Sequence, residues 1–347
     1  MSFIKLFLLR QFKNNLIALL FLALGVCSNL SWSADSIVYN ETLDGFKYPF
    51  AVDYYKFESF GQDLKMAYMH VRSSLTETSS SKPTAVLLHG KNFSGFYWED
   101  VVHSLQDWGY DVLIPDQIGF GKSSKPVNFQ YSFRQLARLT HELLKSKGID
   151  NFIVIGHSMG GMLAIEMAYL FPKEVQNLVL VNPIGLEDYG YYSAPKPYEF
   201  FLNYERKKNI EDIIAYQKKN YYAGQWEEKY EALTRIHEGW LNGPDAEKIQ
   251  TVNALTYNMI FSEPAILKVP ELQTNISLIL GTRDRTGPGR GWRSNELDYE
   301  LGRYDKLGNH IKQKNKKVRL FELNDLGHLP QIEDYSRFES VLKKSLQ

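Results

Sequence analysis

Four short apolar runs limit what this chain can fold into more than any other feature of its sequence. They span Val112–Ile114, Phe152–Ile155, Leu178–Val181 and Ile276–Leu280. Each run is continuous, as expected for strands that are buried on both faces of a parallel sheet. A segment over Phe133–Lys147 lies between two of them and places its large apolar side chains on one helical face. Strands that alternate with helices predict a layered α/β fold with a mostly parallel sheet.

Two earlier strands are predicted to form a hairpin. They span Tyr54–Ser59 and Leu64–Ser73, and the second alternates apolar and polar side chains over much of its length. A polar break follows, and the apolar run Ala85–Leu88 then begins the alternating part of the chain.

The N-terminal segment differs in composition from the rest of the chain. Three basic residues precede an apolar run from Leu16 to Cys27, and small residues follow up to Ala34. The run has 12 residues, which is shorter than the ~20 that a membrane-spanning helix needs. We therefore predict a signal peptide over residues 1–34, cleavage near Ala34, and export to the periplasm or the medium. An uncleaved anchor is the alternative, and we expect no stable membrane span after cleavage.

The composition excludes several classes of function. Cys27 is the only cysteine, so a cleaved chain has no disulfide and no cysteine nucleophile. The formal net charge is zero, and Lys and Arg are not concentrated on one element, so we expect no nucleic-acid partner. The chain has no metal-binding spacing such as H-E-x-x-H, and we expect neither a metal nor a cofactor.

The strongest chemical signal is the pentapeptide over residues 156–160, Gly-His-Ser-Met-Gly. It fits G-x-S-x-G and lies directly between the predicted strand Phe152–Ile155 and a predicted helix over Met159–Leu170. A serine hydroxyl is a weak nucleophile, so it needs a sharp turn that projects it toward a base. The pattern and its context predict Ser158 as a catalytic nucleophile.

Several motifs together resemble the α/β-hydrolase superfamily, in the serine branch that carries a helical cap. They are His89-Gly90 after a strand, the D-x-x-G-x-G-x-S pattern at 116–123, Gly-Thr-Arg-Asp at 281–284 and Gly-His-Leu-Pro at 327–330. The resemblance covers residues 84–184 and 276–335. It implies an α/β-hydrolase fold and a catalytic triad in the chain order serine, acid, histidine.

The resemblance also implies roles for individual residues. Asp284 ends a predicted strand and is expected to orient His328, the general base, in its loop. The backbone amides of Met159 and Lys91 are expected to form the oxyanion hole. Relatives commonly place a small or apolar residue after His-Gly, so a lysine at that position is a departure from the family pattern.

Two hypotheses about substrate contacts follow. Asn92, or the side chain of Lys91, is expected to add a specific contact with the substrate. His157 is a second candidate for substrate binding, although its place beside the nucleophile in sequence favours a side chain that points away. His89 is expected to support its loop structurally.

The chain is expected to divide into a core and a cap. The α/β-hydrolase core spans residues 35–184 and 271–347, and residues 185–270 form a helical cap that interrupts it. A second insertion runs from 285 to 316, and it either overhangs the site or lies on the surface. Its basic residues, which continue to 317, are predicted to form a solvated loop.

The predicted function is cleavage of a small-molecule ester, or a related acyl substrate, through an acyl-enzyme intermediate. Serine at position 158 disfavours the capped relatives that use a nucleophilic aspartate. Thioesterase, lactonase, carbon-carbon bond hydrolase and cofactor-free perhydrolase activities remain alternatives because the triad does not separate them. A binding module with an unused triad is the alternative from another class.

Overall fold

Eight strands form one β-sheet through the centre of the protein. They are β1 (Val52–Ser59), β2 (Gln62–Val71), β3 (Thr84–Leu88), β4 (Val112–Pro115), β5 (Phe152–His157), β6 (Val175–Val181), β7 (Asn275–Gly281) and β8 (Val318–Leu323). Their order across the sheet is β1-β2-β4-β3-β5-β6-β7-β8. The pairs β1/β2 and β2/β4 are antiparallel, and all other neighbours are parallel. The predicted hairpin and the mostly parallel sheet are confirmed.

Twelve α-helices occur in the part of the chain that the structure describes. They are α1 (Glu99–Asp107), α2 (Phe133–Ser146), α3 (Met159–Leu170), α4 (Tyr189–Tyr192), α5 (Tyr198–Lys207), α6 (Ile210–Asn220), α7 (Glu228–Ala232), α8 (Arg235–Leu241), α9 (Ala246–Ser262), α10 (Tyr304–Lys314), α11 (Pro330–Glu333) and α12 (Tyr335–Ser345). The computed structural model describes residues 36–73, 83–292 and 298–347, of which residues 37–347 form one compact unit. The predicted signal peptide, residues 1–34, lies outside the described residues and stays a prediction.

The central strands are buried on both faces, which explains their continuous apolar sequences. In β5, Phe152 and Val154 pack into the core on one side of the sheet, while Ile153 and Ile155 pack into the core on the other. Successive side chains of a strand point to opposite faces, so both faces require apolar residues. The carboxyl ends of these strands meet at one edge of the sheet, where the loops that carry the predicted site begin.

Helices α4 to α9 lie between β6 and β7, in the stretch predicted to form the cap. Their boundaries agree with a helical insertion, and the division of the chain into core and cap stays a prediction. Over residues 36–73, 83–292 and 298–347, no helix is both long and apolar enough to cross a membrane.

The basic run near residue 312 differs from its prediction. Lys312 and Lys314 lie on helix α10 and not in a loop, and both are exposed. The helix buries Leu307 and Ile311 on its other face, so the lysines are the solvated side of an amphipathic helix.

Candidate active site

Ser158 lies at the turn between β5 and α3 in a backbone conformation that few residues adopt. Its φ is 56° and its ψ is −120°, outside the helical and extended regions that L-residues prefer. The turn also requires close approach of the backbone. A Cβ atom at Gly156 would lie 2.2 Å from the carbonyl oxygen of Gly160, and one at Gly160 would lie 2.2 Å from that of Leu88. Glycine at both positions is therefore a steric requirement of this turn.

Three side chains from separate parts of the chain meet at this turn. The Oγ atom of Ser158 lies 2.9 Å from Nε2 of His328, and Nδ1 of His328 lies 2.7 Å from Oδ2 of Asp284. Since Asp284 carries the acceptor, Nδ1–H donates to it and Nε2 accepts the proton of the serine hydroxyl. The three residues are 7%, 1% and 0% exposed, respectively. The structure thus brings together the three residues that the sequence placed in the triad.

The carboxylate of Asp284 is held by two further donors. The side-chain amide of Asn182 donates to Oδ2 over 2.9 Å, and the backbone N–H of Thr286 donates to Oδ1 over 2.7 Å. Burial alone raises the pKa of Asp284, but His328 and the hydrogen bonds outweigh burial and hold that pKa below its usual value. The carboxylate is therefore ionised while it orients the imidazole.

Sequence reasoning missed Asn182, although a signal was present. The residue directly follows β6, the strand between those of Ser158 and Asp284, and its Oδ1 atom accepts from the N–H of Gly281 over 2.8 Å. A polar residue at the carboxyl end of a buried strand, between two strands that end in predicted triad residues, was the available clue.

The two predicted oxyanion donors are the backbone amides of Met159, which follows Ser158 in sequence, and Lys91, which precedes it by 67 residues. Both belong to segments that pass close to Ser158. Met159 directly follows Ser158, and a Cβ atom at Gly90, the residue before Lys91, would lie 3.1 Å from Cβ of Ser158. Within the described residues, neither Met159 nor Lys91 donates its backbone N–H to a backbone carbonyl outside the regular ladders. Asn92 follows with a φ of 65°, a left-handed conformation that asparagine tolerates well.

His157 connects the loop after Gly90, which carries the amide of Lys91, to the loop that carries His328. Its Nε2–H donates to the carbonyl of His328 over 2.9 Å, and its Nδ1 accepts from the hydroxyl of Tyr97 over 3.0 Å. That hydroxyl in turn accepts from the N–H of Gly90 over 3.0 Å. Burial, reinforced by His328, lowers the pKa of His157 to about 3. His157 is fully buried and does not line the cavity, so the geometry does not support the predicted substrate contact and agrees with a side chain that points away.

The loop residues around His89 are structural, as expected. His89 donates from Nδ1 to the carbonyl of Gly90 over 2.8 Å, and its Nε2 accepts from the N–H of Gln117 over 3.0 Å. Asp116 accepts from the N–H groups of Gly95 and Lys122 over 2.6 and 2.8 Å. The D-x-x-G-x-G-x-S motif therefore ties loops together at the sheet edge.

A cavity of about 650 Å³ opens above Ser158. Its walls combine core residues, helices of the predicted cap and the first part of the second insertion. Lys91 and Asn92 line the cavity close to Ser158. Residues 285–292, at the start of the second insertion, line it as well. Aromatic side chains make up much of the rest: Phe93, Tyr204, Tyr216, Tyr221, Trp240, Tyr257 and Trp292. The insertion from 285 therefore overhangs the site at its start and becomes a surface helix only later.

Tyr221 contacts the predicted base directly. Its ring stacks on the imidazole of His328 with centroids 4.6 Å apart and an angle of 29° between the planes. Its carbonyl oxygen lies where a Cβ atom at Gly327 would be, 1.8 Å away, so the histidine loop accepts only glycine there. Sequence reasoning gave no role to Tyr221, since no motif surrounds it.

In the segments that the structure describes, no group of three or more His, Cys, Asp or Glu side chains is arranged to hold a metal ion.

A mostly parallel sheet with a serine turn at its carboxyl edge is the architecture of an α/β-hydrolase. A family model described as the alpha/beta hydrolase fold matches residues 83–259. A crystal structure of a probable hydrolytic enzyme from Pseudomonas aeruginosa PAO1 superimposes with a TM-score of 0.86 at 41% identity, over 90% of this chain and 99% of that one.

Two curated relatives are lipases. Lipase 3 of Moraxella sp. (strain TA144) is 28% identical over 276 residues, which cover 75% of this chain and 78% of that protein. Lipase 1 of Psychrobacter immobilis is 26% identical over 275 residues, which cover 74% of this chain and 77% of that protein. The chain belongs to the α/β-hydrolase fold family, and it is a hydrolase.

Proposed function

We propose that the protein is a serine hydrolase that cleaves a small-molecule carboxylic ester through an acyl-enzyme intermediate. One observation carries the proposal: a buried serine hydroxyl, an imidazole and a carboxylate lie in line at 2.9 and 2.7 Å. The similarity to two lipases supports an ester substrate.

In the proposed reaction, the Oγ atom of Ser158 attacks the carbonyl carbon while Nε2 of His328 takes the hydroxyl proton. Asp284 stabilises the imidazolium that forms. The amides of Met159 and Lys91 donate to the oxyanion, a contribution of about 10²- to 10³-fold in rate for a single donor. The imidazolium then protonates the leaving alkoxide, and a water molecule that His328 deprotonates releases the acid from Ser158.

The proposal extends to the arrangement of the chain and its location. Residues 185–270 form a cap over the cavity, and residues 35–184 with 271–347 form the core. The signal over residues 1–34 directs the protein to the periplasm or the medium and is cleaved near Ala34. Cell fractionation tests the location, and N-terminal sequencing of the mature chain tests the cleavage near Ala34. A cytoplasmic chain that begins at Met1 contradicts both expectations.

Labelling with a fluorophosphonate probe tests the nucleophile. We expect the wild-type protein to react once, Ser158→Ala not to react, and Ser146→Ala to react like wild type. Ser146 is a matched control because it is exposed and its hydroxyl bonds the carbonyl of Leu143, within its own helix. Equal labelling of Ser158→Ala contradicts the proposal, and absence of labelling in the wild type favours a binding module.

The reaction class is tested with p-nitrophenyl esters of increasing chain length beside a thioester and a lactone. We expect esters to be turned over with the highest kcat/KM. A higher value for the thioester or the lactone reassigns the reaction within the same mechanism.

A further inference from the structure

The side chain of Lys91 is half-buried in the cavity wall, and among the described residues its ammonium has no carboxylate within ion-pair distance. Its Nζ atom donates to the carbonyl of Asn253 over 3.0 Å and to the hydroxyl of Thr256 over 2.8 Å. The remaining N–H has only Oδ1 of Asn92, at 3.5 Å, the limit of a hydrogen bond. All of these acceptors are neutral, and the ring of Tyr257 lies 4.3 Å from the ammonium.

The nearby carboxylate is already neutralised by another lysine. Glu205 is 4% exposed, and its Oε1 atom lies 2.5 Å from Nζ of Lys208. Its other oxygen accepts from the side-chain amide of Asn253 over 3.3 Å. Lys91, Glu205 and Lys208 all line the cavity, as do the charged residues Lys207, Asp212, Arg285 and Arg290. The ionic pair of Glu205 and Lys208 therefore lies in the same wall as Lys91.

An ammonium that is partly withdrawn from water without an anionic partner is unfavourable, since charges removed from water in proteins are normally paired. Burial lowers the pKa of Lys91 to about 7; Glu205 raises that pKa and Lys208 lowers it further. An anion placed beside Nζ would pair the charge and replace the long 3.5 Å contact with Oδ1 of Asn92. The position is also suitable for a substrate group, because Lys91 directly follows the glycine that packs against Ser158.

We propose that the ammonium of Lys91 is a specificity-determining group that binds a carboxylate of the substrate, so that the protein prefers esters bearing a free carboxylate over neutral esters of the same shape. This inference rests on the proposed ester hydrolysis. The carboxylate belongs either to the acyl part or to the leaving group of the ester, and the test separates the two.

The test compares kcat/KM for matched pairs of substrates. 4-Acetoxybenzoate and 4-acetoxybenzamide place a carboxylate or a neutral amide on the leaving group. Monomethyl adipate and its neutral amide place the same two groups on the acyl part. In at least one pair we expect the wild type to prefer the carboxylate by about ten-fold, the size of one charge-assisted hydrogen bond.

The variants move this preference in opposite directions. Lys91→Met is expected to abolish it, whereas Glu205→Gln is expected to raise it by about three-fold because a competing negative charge is removed. Lys219→Met is the matched control, since Lys219 is exposed on helix α6 and does not line the cavity. It is expected to leave the preference unchanged. If Lys91→Met does not fold, the expected increase of the carboxylate preference in Glu205→Gln tests the proposal instead.

The preference also has an expected pH dependence. Raising the pH from 6 to 9 removes the proton from Lys91 and is expected to lower the preference toward one. Two other titratable groups face the ammonium: burial holds the pKa of His237 at about 4 and raises that of Tyr257, so neither titrates in this range. Glu205 and Lys208 are the charged groups that surround it. Because the preference is a ratio of two kcat/KM values measured at the same pH, pH effects that are common to both substrates cancel.

The outcomes separate this inference from the proposed function. Equal preferences in the wild type and Lys91→Met overturn the inference, while turnover of the neutral esters leaves ester hydrolysis standing. If no ester is turned over, calorimetric titration of Ser158→Ala with 4-hydroxybenzoate and adipate, against the corresponding amides, still tests the subsite. Equal binding of acids and amides then overturns it.

Discussion

The two sides of the cavity, one at the sheet edge and one formed by the stretch between β6 and β7, are built differently. At the sheet edge, Ser158, His328 and Asp284 are buried, and every polar atom that takes part in the relay has a partner within 3 Å. On the side formed by the stretch between β6 and β7, aromatic rings lie beside charged groups such as Glu205 and Lys208, and Tyr204 and Tyr216 are 41% and 45% exposed. Fixed polar geometry suits a reaction that tolerates little displacement of its groups. A partly open aromatic wall suits recognition of a substrate, so changes on the two sides should affect different kinetic constants.

The largest expected effect at the sheet edge comes from Asp284→Asn. The amide keeps the shape but removes the negative charge that stabilises the imidazolium, and kcat is expected to fall by about 10⁴-fold. Steady-state kinetics on a neutral and a carboxylate-bearing ester should show the same loss for both. A loss confined to one substrate would break the division between the two sides.

A smaller effect is expected from Asn182→Ala, which removes one donor to the Asp284 carboxylate. Hydrogen bonds to charged groups contribute about 1.5–3 kcal/mol, so kcat is expected to fall by roughly ten- to hundred-fold. Asn177→Ala is the control on β6, the strand that Asn182 follows, because its amide bonds the carbonyl of Ser345, away from the site. Equal kcat values for the two variants would remove the positioning role of Asn182.

Tyr221 lies in the stretch predicted to form the cap, but its ring contacts His328 of the triad. It therefore tests whether the two sides of the cavity affect different kinetic constants. Tyr221→Leu removes the ring from His328 and is expected to lower kcat by about ten-fold, the scale of a desolvated cation–π contact with the imidazolium. Tyr221→Phe keeps the ring and should retain kcat near the wild-type value. A change in KM alone for the leucine variant would place Tyr221 with the substrate wall instead.

The last prediction concerns stability and not kcat: His157 is expected to make the stability of the protein depend on pH. Its pKa is about 3 when folded and about 6.5 in an unfolded chain. Between these pH values, His157 is protonated in the unfolded state but neutral in the folded state. The free energy of unfolding is therefore unaffected by His157 above about pH 6.5, and it decreases as the pH falls below that value. His157 is expected to contribute about 1.4 kcal/mol per pH unit to that decrease.

Urea unfolding of the wild type and His157→Asn between pH 4 and 7 measures this contribution. The variant should show a shallower slope than the wild type. His103→Asn, which changes an exposed histidine, should retain the wild-type slope, and an unchanged slope in His157→Asn would contradict the expectation.

Much of the fold and the triad could be predicted from the sequence because the physical causes are local. A strand buried on both faces needs a continuous apolar run, and a serine turn needs glycines at 156 and 160. The predicted bounds of α3 agree with the structure at both ends. Asp284 and His328 were located by the motifs at 281–284 and 327–330 that resemble the α/β-hydrolase superfamily.

Only the tertiary structure decided which residues support and surround the triad. Asn182 bonds Asp284 across 102 residues, His157 reaches the carbonyl of His328 across 171, and Lys91 bonds Thr256 across 165. No local pattern carries such pairings, because they depend on where strand ends and cap helices meet after folding. The sequence by itself determined the sheet, the serine turn and the class of chemistry, whereas packing decided how the acid is held and what charge the cavity presents to a substrate.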